Sequence, residues 1–77
     1  MLPVQCRMAR IALNLGVREL ALAASVSTQT ISRFERGEEL KPTTLTAIRA
    51  ALESAGVIFI AENGDGPGLR LRRDGQP

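Results

Sequence analysis

Residues Ser27 to Gly37 read Ser-Thr-Gln-Thr-Ile-Ser-Arg-Phe-Glu-Arg-Gly, and the reading of this run decides the fold. On a helix, Ile31 and Phe34 share one face with Thr30. Gln29, Ser32, Arg33 and Arg36 take the opposite face, with Thr28 at its margin. An apolar stripe therefore anchors the helix, and the outward residues are of types that reach base edges and phosphates. Arg pairs with guanine, Gln with adenine, and Ser or Thr with bases or backbone. A polar face alone is also what any solvated surface helix presents, so the preceding segment matters.

That segment, Gly16 to Ala24, reads Gly-Val-Arg-Glu-Leu-Ala-Leu-Ala-Ala. It predicts a second short helix whose inward residues are Val17, Leu20, Ala21 and Ala24. Ser25-Val26-Ser27 follows, long enough only for a tight turn, and Ser27 is a good N-cap for the next helix. Alanine at inward positions lets two helices approach closely and cross steeply. This is the geometry of a helix-turn-helix unit that presents its second helix outward.

The stretch ELALAASVSTQTISRFERG, Glu19 to Gly37, resembles the Cro and phage-repressor type of helix-turn-helix, the XRE family. The family pattern is Glu-Leu-Ala, three variable residues, Gly-Val-Ser, two more, then Thr-Ile-Ser-Arg-x-Glu-x-Gly. The resemblance runs from about Arg7 to about Gly56. Similar short bacterial members also end in Gly-Val-x-Phe-Ile-x-Glu-Asn-Gly and a Leu-Arg-Leu-Arg tail, matched by residues 56–73 here. Two positions depart from the pattern. Ser25 replaces the turn glycine, where a left-handed backbone strains a side chain. Gly16 replaces the usual Ser or Thr cap and is a weaker N-cap. Asn14 before it suits a left-handed helix end.

With 77 residues, 44% of them hydrophobic, the chain makes one small globular domain near the size where a single core is marginal. Aromatic residues are 3%, with no Trp or Tyr, so the core must be aliphatic. A net charge of +2 and a pI near 9.5 permit nucleic-acid binding without demanding it. The distribution says more, since Arg33, Arg36 and Lys41 cluster around the proposed recognition helix. The lone Cys6 forms no internal disulfide and reads as a small buried hydrophobe, which fits a reducing cytoplasm. There is no His, which removes His-containing zinc sites, Ser-His triads and imidazole acid–base chemistry. No apolar run approaches the length of a membrane span, and the Met1–Val4 start lacks the layout of a signal peptide. A non-enzymatic protein is expected, with no catalytic residue, cofactor or metal.

The expected architecture is mainly α: a four-helix, phage-repressor-like helix-turn-helix domain over residues 1–56, then a β-hairpin or strand pair over 57–73 and a flexible tail, 74–77. Helix one is expected from about Pro3 to Leu13, with Val4, Met8, Ile11, Ala12 and Leu15 as its apolar line. Gly37 stops helix three. Thr43 or Thr44 caps helix four, where Leu45, Ile48, Ala51, Leu52 and Ala55 repeat at three and four, and Gly56 ends it. Val57–Ile60 and Leu69–Arg72 read as strands. Residues 62–68 contain Gly-Asp-Gly-Pro-Gly, which lacks the Lys-Ser/Thr ending and following helix of a phosphate loop and reads as a hairpin connector.

The resemblance assigns roles residue by residue. Family members commonly pair an arginine of helix one with the glutamate of Arg-x-Glu, and Arg10 and Glu35 match. Such a pair fixes the recognition helix and offers the arginine edge to phosphate; its plainer reading is a structural ion pair of modest net worth. Thr28, Gln29, Ser32 and Arg33 are the expected base contacts, against a merely solvated helix face. Ser27 doubles as cap and phosphate contact. Arg36 and Lys41 are expected phosphate contacts, as is Arg18, for which a solvated face is an equal alternative.

The strand Val57-Ile58-Phe59-Ile60 is apolar on both faces, which predicts burial on both sides, and a lone hairpin is marginal in water. Both point to homodimerisation through Val57, Ile58, Phe59 and Ile60. Two recognition helices would then read a pseudo-palindrome with half-sites about one helical turn apart. Leu22 points away from the core. The expected partner is double-stranded DNA, bound by a regulator acting as a repressor in the cytoplasm, with no membrane. Two alternatives are an antitoxin whose tail binds a toxin, and a protein-interaction module that kept the fold without DNA binding.

Overall fold

A computed structural model describes residues 1–73. The expected tail, residues 74–77, lies outside the described residues. Four helices, α1 (Pro3–Ala12), α2 (Val17–Ala24), α3 (Thr28–Glu35) and α4 (Pro42–Ala55), precede an antiparallel hairpin of β1 (Val57–Ile60) and β2 (Gly68–Leu71). The mainly α architecture and the C-terminal strand pair are those the sequence predicts.

The core is aliphatic and small. Cys6, Leu20, Ile31, Ile48, Leu52 and Val57 are its largest fully buried side chains. Ala9, Ala21, Ala24 and Phe34 complete it, and Leu13, Leu15, Val17, Val26, Leu40 and Leu45 pack around it. Helix α2 lies against α3 and α4, and α1 against α3, α4 and the hairpin. Alanines at the inward positions of α2 let its neighbours approach closely, as the pattern implies.

Helix α1 corrects the sequence reading. Of its expected apolar line only Leu15, just beyond the helix, packs on the core. Val4, Met8 and Ile11 are 53%, 39% and 67% exposed, and Ala12 is exposed too. The buried face is Gln5, Cys6 and Ala9. Periodicity alone assigns the largest apolar residues to the interior, but the face that packs holds small Cys6 and Ala9 together with Gln5, whose amide is satisfied by its own hydrogen bonds. Asn14 (φ 58°) ends the helix in the left-handed region.

Helix α4 begins earlier than expected. Its N-cap is Lys41 and not Thr43 or Thr44, and Pro42 occupies the first helical position, where the missing N–H leaves nothing unsatisfied. Ala55 is exposed, while Ile48 and Leu52 carry the buried face. Gly56 follows at φ 125°, a backbone that strains any L side chain and that turns the chain directly into β1.

The hairpin pairs Val57 with Leu71, Ile58 with Arg70, Phe59 with Leu69 and Ile60 with Gly68. The second strand thus lies one residue earlier than the expected Leu69–Arg72. Its burial is one-sided: Val57 is buried and Phe59 half-buried, but Ile58 is 43% exposed. The two-sided burial expected of this run is therefore absent within one chain. The hairpin packs on α1 and α4. Gln5, only 4% exposed, clamps it from below: its Nε2 donates to the carbonyls of Ile60 (3.0 Å) and Gly68 (2.9 Å), while its Oε1 accepts the Leu2 N–H (2.8 Å). Arg72 fastens the other end, donating its backbone N–H to Gly56 O and a guanidinium N–H to Glu53 O at the C-terminus of α4. A cation there also meets the negative end of the helix. In the connector, Glu62 accepts the N–H groups of Gly64 (2.8 Å) and Gly66 (2.9 Å).

Candidate nucleic-acid interface

Helix α3 is built to be presented rather than buried. Ser27 caps it, its Oγ accepting the Thr30 N–H at 3.1 Å and lying 2.9 Å from Thr30 Oγ1. Satisfying one of the orphan N–H groups in this way anchors the first turn. Ile31 and Phe34 are buried beneath. The turn before the cap holds Ser25 at φ 58°, ψ 43°, so the left-handed strain read from the sequence is present. Gly37 closes the helix at φ 102°.

Thr28, Gln29 and Arg33 are exposed on the outer face, and Ser32 is half-buried beside them. Arg18, exposed on α2, lines a shallow groove with Leu22, Ser25 and Thr28, so it flanks the N-terminal end of α3. Leu22 is 81% exposed, as its position on α2 predicts. On the other flank, Arg7, Arg10, Val17, Ser32, Glu35 and Arg36 line a cleft of about 240 Å³. Arg36 is exposed and lies 3.5 Å from Glu38. Lys41 stands apart as the exposed N-cap of α4.

The cleft is organised by one ion pair. Arg10 Nε donates to Glu35 Oε2 and Arg10 Nη2 to Glu35 Oε1, both at 2.9 Å, a two-pronged contact that fixes both planes. Arg10 Nη1 donates to Leu15 O at 3.3 Å. The two side chains are 15% and 8% exposed. Burial by itself would raise the Glu35 carboxyl, but the hydrogen bonds and charge of Arg10 outweigh it and hold the group below its ordinary value. The bond to Glu35 raises Arg10 further. Cys6 Sγ lies 3.5 Å from Glu35 Oε2. Desolvation first, then the neighbouring carboxylate, pushes its thiol up to about 12, so it stays protonated and unreactive.

The structure thus gathers Thr28, Gln29, Ser32 and Arg33 on one helix, Arg18 on one flank and Arg10 with Arg36 on the other. Val57–Ile60 lie in the hairpin, which packs on α1 and α4, while α3 packs on α1 and α2. Arg7 was missed. Its spacing of three from Arg10 was the available signal, since that spacing puts both on one face of α1. Gln5 was missed as well, because nothing in a local pattern reveals a bond across 55 residues.

A capped, outward helix packed on the helix before it and flanked by arginines defines a helix-turn-helix DNA-binding protein. The helix-turn-helix family model matches residues 7–55, so the chain belongs to this family, of the XRE type, a DNA-binding family that is not typically enzymatic. No match is found among curated proteins. Among the described residues no helix is long and apolar enough to cross a membrane.

Proposed function

We propose that the chain is a sequence-specific, double-stranded DNA-binding transcriptional repressor that acts as a homodimer in the cytoplasm. The observation that carries this reading is the outer face of α3, with Thr28, Gln29 and Arg33 exposed beside Ser32 and the helix itself held by the Ser27 cap and the Arg10–Glu35 pair. Thr28, Gln29, Ser32 and Arg33 read base edges in the major groove. Arg10, Arg18, Ser27, Arg36 and Lys41 contact phosphate, which supplies salt-dependent affinity and register without sequence choice. Repression follows from occupancy of the operator.

Selection of bound duplexes from a random-sequence pool at about 0.15 M salt tests the reading. Enrichment of a two-fold symmetric motif with half-sites about one helical turn apart is expected, and no enrichment refutes it. Arg33→Ala is expected to cost about 1–3 kcal/mol on the selected site and to relax its specificity. Equal losses on selected and scrambled duplexes would make Arg33 a phosphate contact only.

A second reading, an antitoxin with the same DNA-binding fold, is favoured by the exposed apolar residues Val4, Met8 and Ile11 on α1, a surface suited to a protein partner. An adjacent reading frame whose product co-purifies with the chain decides for it.

A further inference from the structure

The hairpin connector gathers three groups around one side-chain amide, that of Asn63, which stands directly before Gly64 and is exposed with it. Asn63 Oδ1 accepts the Asp65 N–H at 3.3 Å. The ring closed by that bond contains both the Asn63 Cγ and the Gly64 nitrogen, so the side chain is folded back along the backbone. The Gly64 N–H donates in turn to Glu62 Oε2 at 2.8 Å. Glycine brings no side chain to crowd that nitrogen, and the place where a Cβ would stand has no atom within 4 Å.

A backbone nitrogen is a poor nucleophile, because its lone pair is delocalised into the peptide bond. It attacks a neighbouring carbonyl when its proton is drawn off as the new bond forms and the developing oxyanion is stabilised. The connector supplies both. The Glu62 carboxylate lies within the reach of a general base, about 2.6–3.2 Å. The Asp65 N–H already rests on the oxygen where negative charge develops. Nucleophile and carbonyl share one short segment, so no second molecule has to be brought up for the first step.

We propose that Asn63 is a site of spontaneous deamidation in which Glu62 serves as the base. The Gly64 nitrogen bonds to Asn63 Cγ and passes its proton to Glu62. The Cγ–Nδ2 bond then breaks, Glu62 returns the proton to the leaving nitrogen, and ammonia departs from a closed cyclic imide. Water opens that ring at either carbonyl. One opening leaves an aspartate, and the other leaves an isoaspartyl linkage with the backbone routed through the side chain. Either product lowers the formal net charge of +2 by one.

The other asparagine of the chain, Asn14, lacks this arrangement. The residue after it is Leu15, whose side chain packs around the core and whose N–H donates to the Arg10 carbonyl at 2.8 Å. Its nitrogen is hindered, and the acceptor of its proton is not a base. Glu62, by contrast, also accepts the Gly66 N–H at 2.9 Å, which holds its carboxylate in place.

Timed incubation of the full chain in warm neutral buffer, followed by peptide mass mapping, tests the site. Asn63 is expected to convert to the acid roughly tenfold faster than Asn14, or more. Glu62→Gln keeps an acceptor oxygen but loses the base. It is expected to slow Asn63 roughly tenfold in the folded chain and to leave the rate unchanged in denaturant, where the connector bonds are gone. Conversion of Asn63 no faster than that of Asn14 overturns the site. A folded Glu62→Gln chain that converts as fast as the parent, or faster, overturns the role of Glu62. Equal slowing in denaturant makes the effect one of sequence alone and overturns the part given to the connector geometry.

Discussion

Glu35→Ala tests the ion pair that seats α3. It strips a two-pronged partner, at 2.9 Å on both prongs, from Arg10, whose side chain is only 15% exposed. The guanidinium would keep one bond, to Leu15 O at 3.3 Å, and remain largely out of water. Removing one member of a buried pair costs about 3–5 kcal/mol because the survivor is left uncompensated, and the partial exposure of Arg10 favours the lower end. A domain of this size has roughly 4–12 kcal/mol of stability in all. A loss near 3 kcal/mol lowers Tm by roughly 12–24 °C, at about 4–8 °C per kcal/mol. Thermal unfolding followed by circular dichroism reads this directly. Replacing both members together, Arg10→Met with Glu35→Leu, is expected to recover most of the loss, because an apolar pair leaves no stranded charge. The same bond sets the acid limb. Glu35 is held below its ordinary value of 4.5 in the folded state, so its contribution is complete above that pH and is lost as pH falls through the depressed folded value. Glu35→Gln should therefore flatten stability against pH below about 4.5. A Tm for Glu35→Ala within two or three degrees of the parent would refute the reasoning and make the pair incidental.

Ser25→Gly is expected to stabilise. The left-handed backbone at φ 58° costs a side-chain-bearing residue about 1–2 kcal/mol, and the extra freedom of glycine in the unfolded chain returns about 0.4–1 kcal/mol of that; a lower urea midpoint would contradict this. Gln5→Ala should cost about 2 kcal/mol through its lost buried bonds, and hydrogen exchange should accelerate more in β1 and β2 than in α2 and α3; uniform acceleration would argue against a hairpin clamp. Arg36→Ala should weaken binding evenly across DNA sequences and reduce the salt slope by about one phosphate contact. A change of preferred sequence in the selection experiment would instead make Arg36 a base reader.

The helix-turn-helix pair was legible because its signals are local. The Ser27 cap, the buried Ile31 and Phe34 and the alanines of α2 each follow from a few neighbouring residues, while the left-handed Ser25 was legible only because it stands at the family's turn glycine. Helix α1 was misread because its apolar residues at helical spacing, Val4, Met8 and Ile11, form a stripe off the face that packs. The helix buries Cys6 and Ala9 instead, with Gln5 made tolerable inside by three hydrogen bonds. Lys41 took the cap of α4 because Pro42 suits the first helical position better than the threonines suit the N-cap. The alternation of Leu69 to Arg72 announced a strand but not the task of Arg72, which closes α4 from 19 residues away. Of the cleft arginines, Arg36 was legible from helix spacing and charge clustering and Arg10 from the family's Arg–Glu pairing, while Arg7 had only its spacing of three from Arg10 as a signal.

These long-range polar bonds bear on how binding and assembly communicate. Two of the side chains that make these bonds, Gln5 and Arg10, lie about one turn and a half apart on α1. Gln5 holds the hairpin and Arg10 holds α3. Helix α1 therefore links the hairpin to the recognition helix through a rigid element rather than a loop, beside the second route that runs through α4 and α2. The small aliphatic core tolerates repacking more readily than these bonds tolerate displacement. Loosening Gln5 would free the hairpin from α1 while leaving in place the Arg10–Glu35 bonds that seat α3, so the two ends of α1 can be uncoupled one at a time.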